Sequence, residues 1–152
     1  MAKRVALIGH PVTHSLSGVL QQAAFDSAGI DAHYELVDRL LIDLPETIEA
    51  LKDAVRALDA AGFQVHVHAI GDRGVRETLD AFEGLEPKDL RHHIAHLQLV
   101  HPDDVPRFAE LGVAANIQAV WACYDDQMVD LTIPFLGEER ARWQYPFGAI
   151  HR

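Results

Sequence analysis

Short apolar runs alternate along the chain with longer segments in which apolar residues recur every three or four positions. The apolar runs predict β-strands, because a strand that is covered on both faces reads as a continuous apolar stretch. The helical spacing predicts amphipathic helices between them. The predicted strands are 5–9, 33–37, 63–70, 93–100 and 113–120, and the predicted helices are 17–28, 44–61, 73–82, 102–111 and about 138–144.

The number of strands decides between two parallel-sheet architectures. Strands that alternate with helices favour βαβ units and a parallel sheet. Five such units are enough for an open sheet with helices on both faces, in the flavodoxin-like order 2-1-3-4-5. They are too few for a closed eight-stranded barrel, so a half-barrel (βα) fragment is the alternative. No linker-like stretch interrupts the pattern, and we predict a single α/β domain over 1–152 with a five-stranded, mostly parallel sheet.

The ends of the longest predicted helix are marked by residues with suitable local chemistry. Asp43 precedes the helix and is the expected N-cap, since its carboxylate can accept a bond from a free backbone N–H. Gly62 follows the helix and is expected to end it, because glycine adopts the left-handed conformation that closes many helices.

Composition and charge narrow the range of partners and compartments. The 152 residues carry a formal net charge of −10, which argues against nucleic acid or an anionic membrane surface as partner. Cys123 is the single cysteine, so an internal disulfide is excluded and a reducing cytoplasm is expected. No stretch approaches the ~20 apolar residues of a membrane-spanning helix. We therefore expect a soluble cytoplasmic protein, with a small molecule as its ligand.

Two hydroxyl side chains lie in the turn between the first predicted strand and the helix that follows it. Ser15 and Ser17 are two residues apart, immediately before a helix N-terminus. Hydroxyls in this position can bind a carboxylate or a polyhydroxylated ligand. The alternative is purely local, with Ser17 as an N-cap and Ser15 as a solvated turn residue.

Three histidines lie near the carboxyl ends of two successive predicted strands. His66 and His68 alternate onto the same face of one strand, and His96 lies in the next. Imidazoles from neighbouring parallel strands can form a site for Zn²⁺ or a similar ion. The alternative is that they are core or strand-end histidines bonded to backbone carbonyls.

Other polar and aromatic residues have simpler interpretations. Asp103 and Asp104 are expected at a helix start, where acidic side chains interact favourably with the helix dipole. Asp125 is expected in a solvated turn. Trp121 and Tyr145 are assigned to packing, with the lining of a pocket as the alternative.

The N-terminal third contains the stretch RVALIGHPVTHSLSGVLQQAAFDSAGIDAHYELVD. This stretch resembles the substrate domain of shikimate dehydrogenases, which have HSxSP where this chain has HSLSG. The resemblance implies that Ser15 and Ser17 hold the carboxylate of a shikimate-like ligand. Gly18 replaces the family's proline, and Gln21 and Gln22 replace its usual His-Asn pair. The family's catalytic lysine and aspartate and its glycine-rich nucleotide-binding turn are absent from this sequence, so we expect neither hydride transfer nor NAD(P).

Three stretches from about residue 55 onward occur in a consistent order: LDAAGFQVHVHAIGDRGV, RHHIAHLQLVHPDDVPRFAELGVAANIQAVWA and LTIPFLGEERARWQYPF. Together they resemble the amidohydrolase superfamily, with the closest branch being the amidohydrolase-3 group that cleaves amides, carbamates or related bonds. The resemblance implies that His68 and His96 bind a metal, with Zn as the expected ion and His66 as a further candidate. Ala95 and Ala119 stand where the family has glutamate and proline.

The change from one resemblance to the other falls near residues 50–57, inside a continuous helical pattern. We treat 1–52 as a shikimate-dehydrogenase-like segment and 53–152 as an amidohydrolase-like segment. Because each lacks part of its family's catalytic set, the sequence predicts a chimeric or engineered domain without full catalytic activity and with no assigned catalytic residue. The alternatives are a metal-dependent hydrolase of amide-type bonds and a shikimate-like ligand-binding module. Exposed edges of a barrel fragment invite pairing, which predicts a homo-oligomer.

Overall fold

A computed structural model describes residues 3–9, 13–38, 44–86 and 89–151. The chain groups into two compact units, Met1–Val65 with Gly84–Leu90 and His66–Glu83 with Arg91–Arg152. In the described ranges, no helix combines the length and the apolar character needed to cross a membrane. The assignment of 1–152 to a single domain stays a prediction.

The first unit contains a small parallel sheet and two helices. Strand β1 (Lys3–Gly9) pairs in parallel with β2 (Ala32–Asp38), in a register that places Lys3 opposite Ala32 and Gly9 opposite Asp38. Helix α1 (Ser17–Ser27) connects the two strands, and α2 (Leu44–Ala60) follows them. This is the βαβ connection that the alternating pattern predicts.

The side-chain amide of Gln22, in α1, forms hydrogen bonds to the backbone of β2. The Gln22 Oε1 accepts a hydrogen bond from the Tyr34 N–H at 3.0 Å, and the Gln22 Nε2 donates to the Ala32 carbonyl at 3.1 Å. The helix also approaches the strand closely at Gly18, where an added Cβ would lie 3.4 Å from the Leu36 side chain. Gln22 therefore has a structural role in this chain, which the sequence comparison with His-Asn did not indicate.

The second unit contains a three-stranded parallel sheet of order β3-β4-β5. Its register places His66 opposite His93, and His93 opposite Ala114. The strands are β3 (His66–Ala69), β4 (His93–His96) and β5 (Ala114–Ile117). The helices are α3 (Asp72–Glu83), a 3-10 turn (Pro102–Asp104), α4 (Val105–Glu110), a second 3-10 turn (Ala119–Trp121), α5 (Asp126–Leu131), α6 (Ile133–Ala141) and α7 (Phe147–Ile150).

The core of the second unit is built from the apolar face of α3 and from the central strand. Val75, Leu79 and Phe82 recur at helical spacing on α3 and are all buried. Ile94 and Ala95 are adjacent in β4 and both fully buried, so this strand is covered on both faces, as its apolar run predicts. Burial of one large apolar side chain stabilises the fold by about 1.5–3 kcal/mol.

The predicted single five-stranded sheet is not observed among the described strands. The order 2-1-3-4-5 requires β1 to pair with β3, whereas the described strands form one sheet of β1 and β2 and another of β3, β4 and β5. The adjacencies inside each sheet are those predicted, and a three-stranded parallel sheet with its helices is consistent with a half-barrel fragment. An apolar run indicates a strand but not which strand pairs with it, so the pattern could not reveal this break.

The ends of the elements follow local backbone chemistry. Gly62 has φ of +81° and ends α2 as predicted, with the Phe63 N–H bonded to the Leu58 carbonyl and the Gly62 N–H bonded to the Asp59 carbonyl. Strands β3, β4 and β5 are shorter than the apolar runs that predicted them. Some apolar residues of these runs, such as Phe63 and Leu97, are buried without belonging to a strand. The predicted N-cap Asp43 lies outside the described residues.

Candidate functional site

Two of the predicted metal ligands meet at the carboxyl ends of β3 and β4. The His96 Nε2 lies 3.0 Å from the His68 Nδ1, a hydrogen-bonding distance between two imidazoles. On a tetrahedral zinc ion with Zn–N bonds of about 2.0–2.1 Å, two ligand nitrogens are about 3.3 Å apart. A small rotation of the rings would open the observed separation to that value, so the pair fits two positions of a zinc-type site.

His66 lies beside this pair and contacts two other histidine rings. Its ring centroid is 4.4 Å from that of His93 and 5.0 Å from that of His68. Within the ranges that the structure describes, no three His, Cys, Asp or Glu side chains are grouped so as to hold a metal ion. The structure thus brings His68 and His96 together, and the role of His66 as a further ligand stays a prediction.

Burial favours the neutral form of two of these rings, those of His66 and His68. Burial, together with repulsion from His93, His68 and His96, lowers the pKa of His66 to about 4. Burial also lowers the pKa of His68, with a smaller effect from His96. A neutral imidazole is the form that binds a metal, because the ligand nitrogen needs its lone pair. At physiological pH the site therefore presents at least His68 in its binding form.

Left-handed backbone conformations occur at the histidine pair and at Tyr145. His96 and Leu97 have φ of +75° and +52°, and Tyr145 has φ of +46°. Such values are uncommon outside glycine and cost about 1–3 kcal/mol each when the surroundings impose them. The turn lets the Leu97 N–H reach the Ala69 carbonyl at 3.1 Å. No glycine marks this turn in the sequence, so the strain could be found only in the structure.

An open cleft of about 240 Å³ lies next to His96. Its walls combine apolar side chains with amide, hydroxyl and carboxylate groups. They are formed by Ile70, His96, Gln98, Trp121, Asp125, Gln127, Met128, Thr132 and Tyr145. Trp121 and Tyr145, which the sequence assigns to packing, therefore line a pocket. Asp125, which the sequence assigns to a solvated turn, lines the same pocket.

The cleft walls are held by specific hydrogen bonds. The Gln98 carbonyl accepts from the Tyr145 N–H at 2.8 Å, and the Gln98 side chain donates to the Gln144 side chain at 3.3 Å. The Asp125 carboxylate caps α5 by accepting from the Met128 N–H at 2.8 Å. Burial raises the pKa of Tyr145, with Cys123 and Asp125 adding to the effect, so its phenol is neutral at physiological pH.

In the first unit, the two predicted ligand-binding serines lie in contact with each other. The Ser15 hydroxyl donates to the Ser17 hydroxyl at 3.0 Å and accepts from the Ser17 N–H at 3.2 Å. Ser15 therefore supports the start of α1, whereas the local alternative had assigned that role to Ser17. The binding of a carboxylate by these hydroxyls stays a prediction.

Comparison with known families confirms the two-part resemblance. A model of the amidohydrolase family matches residues 44–152, and a model of the shikimate dehydrogenase substrate binding domain matches residues 7–68. The two matches overlap at 44–68, which includes all of α2 and ends at His68.

Individual relatives match the chain over different lengths. The chain is 35% identical over 107 residues to the exoenzymes regulatory protein AepA of Pectobacterium carotovorum, covering 67% of this chain and 22% of the relative. It is 38% identical over 65 residues to the shikimate dehydrogenase (NADP(+)) of Methanocaldococcus jannaschii, covering 43% of this chain and 22% of the relative. The chain thus spans about a fifth of the length of the curated relatives it matches.

A solved structure extends the comparison to three dimensions. An uncharacterized metal-dependent hydrolase from Pyrococcus horikoshii superposes with a TM-score of 0.56 at 30% identity, covering 68% of this chain and 20% of the hydrolase. Because the amidohydrolase family model matches well over half of the residues, including β3, β4 and both histidines of the pair, this chain belongs to the amidohydrolase family.

Proposed function

We propose that this chain is a metal-binding amidohydrolase segment that holds a divalent cation such as Zn²⁺ through His68 and His96. The observation that carries the proposal is the 3.0 Å separation between the His68 Nδ1 and the His96 Nε2. Burial lowers the pKa of His68, which supports the proposal because a neutral ring does not need to lose a proton before it binds a metal. The similarity to a protein described as a metal-dependent hydrolase supports it from a separate direction.

The residues of the pair would position the metal rather than complete a hydrolytic centre. A bound metal of this kind polarises a carbonyl and lowers the pKa of bound water. Efficient catalysis of this type uses about three protein ligands, an open position and a general base. In the described residues the pair has no third ligand grouped with it. We therefore propose that these residues alone hydrolyse amide-type bonds weakly or not at all.

The two-part resemblance supports a chimeric origin, natural or engineered, as part of the same proposal. The two family matches share residues 44–68, so α2 suits the pattern of both families. A join within a shared helix would leave the βα alternation uninterrupted. The amidohydrolase-like part would then correspond to a half-barrel fragment of three strands.

Calorimetry with Zn²⁺ tests the metal site. Protein is stripped with a chelator, dialysed and titrated with Zn²⁺, and we expect one ion per chain with a Kd of about 10 μM, as suits two imidazoles rather than four ligands. The double variant His68→Ala/His96→Ala should bind at least tenfold more weakly. The matched control is His151→Ala, which removes an exposed imidazole outside the pair. Absence of binding, or equal binding by the double variant and the control, would overturn the proposal.

A hydrolysis assay tests the expectation of incomplete catalysis. Zn²⁺-loaded protein is incubated with aryl amide and carbamate substrates and compared with the His68→Ala/His96→Ala variant at equal free Zn²⁺. We expect rates within twofold of each other. A rate for the parent protein that is tenfold higher or more would show a complete centre and contradict this part of the proposal.

A second candidate function is binding of a shikimate-like carboxylate in the first unit. The contact between the Ser15 and Ser17 hydroxyls at the start of α1 favours it, since two hydroxyls are already oriented together. Titration with shikimate should move amide resonances of α1 in the parent protein and leave Ser15→Ala/Ser17→Ala unchanged. Ser27→Ala, at the other end of α1, is the control. Lack of any shift in the parent protein would exclude this function.

The prediction of a homo-oligomer also remains a proposal. Several large apolar side chains of the second unit are exposed, including Val120, Tyr124 and Phe135 at 78%, 83% and 78%. Self-association would remove such surface from water, which favours it by about 25 cal/mol per Å².

A further inference from the structure

We infer that the cleft beside His96 binds small ligands in which a cationic ammonium group is joined to an apolar body. As a statement about substrate class this inference rests on the proposed function, because it concerns the surroundings of the same histidine pair. As a statement about binding it needs no metal, so the two can be tested separately.

The charge of the cleft carries the first part of the inference. The titratable side chains in its lining are His96, Asp125 and Tyr145, and no lysine or arginine of the described residues lines it. Tyr145 is a neutral phenol, since burial raises its pKa. Asp125 is the acidic side chain of this lining, and its carboxylate sets the sign of the charge in the cleft. The cleft is therefore negative.

The Asp125 carboxylate is fixed in place yet can still accept a ligand. Its Oδ1 accepts the Met128 N–H at 2.8 Å, which anchors the side chain at the start of α5. Its Oδ2 has the Cys123 thiol at 3.9 Å, a weak and long contact. A carboxylate oxygen has two lone pairs, so Oδ2 retains accepting capacity for a ligand N–H or for the field of a quaternary ammonium group.

The apolar and aromatic side chains of the lining can contact both the apolar body and the ammonium group of such a ligand. Trp121 and Ile70 are 60% and 56% exposed, so apolar surface is already presented to solvent. Aromatic faces attract cations through the ring quadrupole, and clustered aromatic rings are a common receptor for quaternary ammonium groups. A volume of about 240 Å³ is below the usual range for drug-sized ligands, so we expect a ligand of roughly ten non-hydrogen atoms.

Two hydrogen bonds hold residues of the cleft lining in place without a ligand. Tyr145 is held at its positive φ by the bond from its N–H to the Gln98 carbonyl. Asp125 is held by its capping bond to Met128. Binding to groups that are already ordered loses less conformational entropy than binding to mobile ones. The net charge of −10 further raises the local concentration of cations.

The test uses metal-free protein in EDTA at pH 8 with benzyltrimethylammonium as the probe and benzenesulfonate as the anionic counterpart. Trp121 lines the cleft and Trp143 does not, so the two indole N–H resonances report a specific and a non-specific site. We expect a saturable shift of the Trp121 resonance with the cation, and at least tenfold weaker binding of the anion. A shift of Trp143 alone, or equal binding of the two probes, would overturn the inference.

A pair of variants assigns the effect to Asp125. Asp125→Asn removes the charge but keeps an oxygen that can cap α5, because asparagine is as good an N-cap as aspartate. It should weaken binding of the cation at least fivefold. Asp126→Asn, which removes the neighbouring charge outside the cleft lining, should change binding less than twofold. Equal affinity of Asp125→Asn and Asp126→Asn would contradict the inference.

The outcomes for the metal and for the cleft are distinguishable. Cation binding in EDTA together with no Zn²⁺ binding in calorimetry would remove the proposed function and leave the ligand class standing. Zn²⁺ binding without any Trp121 response to the cation would remove the inference and leave the metal site standing.

Discussion

A buried carboxylate joins the two helices that follow the histidine-bearing strands, and its removal should weaken the second unit. Asp104 is 1% exposed. It accepts the Arg76 Nε at 2.9 Å and 3.2 Å on its two oxygens, and the Arg107 Nη1 at 3.1 Å. Arg76 belongs to α3 and Arg107 to α4, so this one side chain links the helix after β3 to the helix after β4. The sequence had assigned Asp104 only to a helix start.

The expected cost of Asp104→Ala follows from what each arginine retains. Breaking a buried ion pair by removing one partner costs about 3–5 kcal/mol. The Arg76 side chain is 43% exposed, so its guanidinium can regain water. Arg107 keeps Asp80 at 2.6 Å and Glu83 at 2.9 Å. These two effects reduce the expected loss in the free energy of unfolding to about 2–3 kcal/mol.

Urea unfolding followed by tryptophan fluorescence measures this loss where it should occur. The chain has two tryptophans, Trp121 and Trp143, and both belong to the second unit. The matched control is Asp103→Ala, whose side chain is 82% exposed and whose cost should stay within about 0.5 kcal/mol. A cost for Asp104→Ala within 0.5 kcal/mol of the control would refute the assignment of Asp104 as the link between α3 and α4.

Three further predictions concern pH, a glycine turn and self-association. In EDTA the free energy of unfolding of the second unit should fall by about 1 kcal/mol between pH 7.5 and 5. His66 binds a proton near pH 6.5 in the unfolded chain but only near pH 4 in the folded chain, so acid favours the unfolded state. The partial exposure of His66 reduces the size of this effect. A flat urea midpoint over that range would contradict this. Gly112→Ala should cost about 1 kcal/mol, since its φ is +64° and its Cβ meets nothing within 4 Å. Gly148→Ala in α7 is the control, and equal effects would argue against backbone strain as the cause. Light scattering at micromolar concentration should give a dimer or larger, with Phe135→Asp shifted toward monomer, and a monomeric mass of the parent protein would exclude the oligomer.

The elements with a strong local signal were predictable from the sequence. Helices α1, α2 and α3 lie within one or two residues of the predicted bounds, because helical periodicity and the ending glycines act over neighbouring residues. The strands β3, β4 and β5 are each shorter than predicted, at four residues. Apolar residues such as Leu97 and Leu99 are buried beyond the end of β4, and burial alone does not require ladder hydrogen bonds.

The sequence by itself determined the βα alternation, the two-part resemblance, and the placement of His68 and His96 on successive strands. Only the tertiary structure decided that their nitrogens lie 3.0 Å apart, that Asp104 is buried between two arginines, and that Asp125 lines a cleft. It also decided that β1 pairs with β2 and that β3, β4 and β5 form a sheet of their own. The physical reason is the sequence separation between the residues that interact. Periodicity and capping depend on residues within a few positions. Strand register, ion pairing and cleft lining also join residues far apart in the sequence, such as His68 with His96 and Arg76 with Asp104, each 28 positions apart.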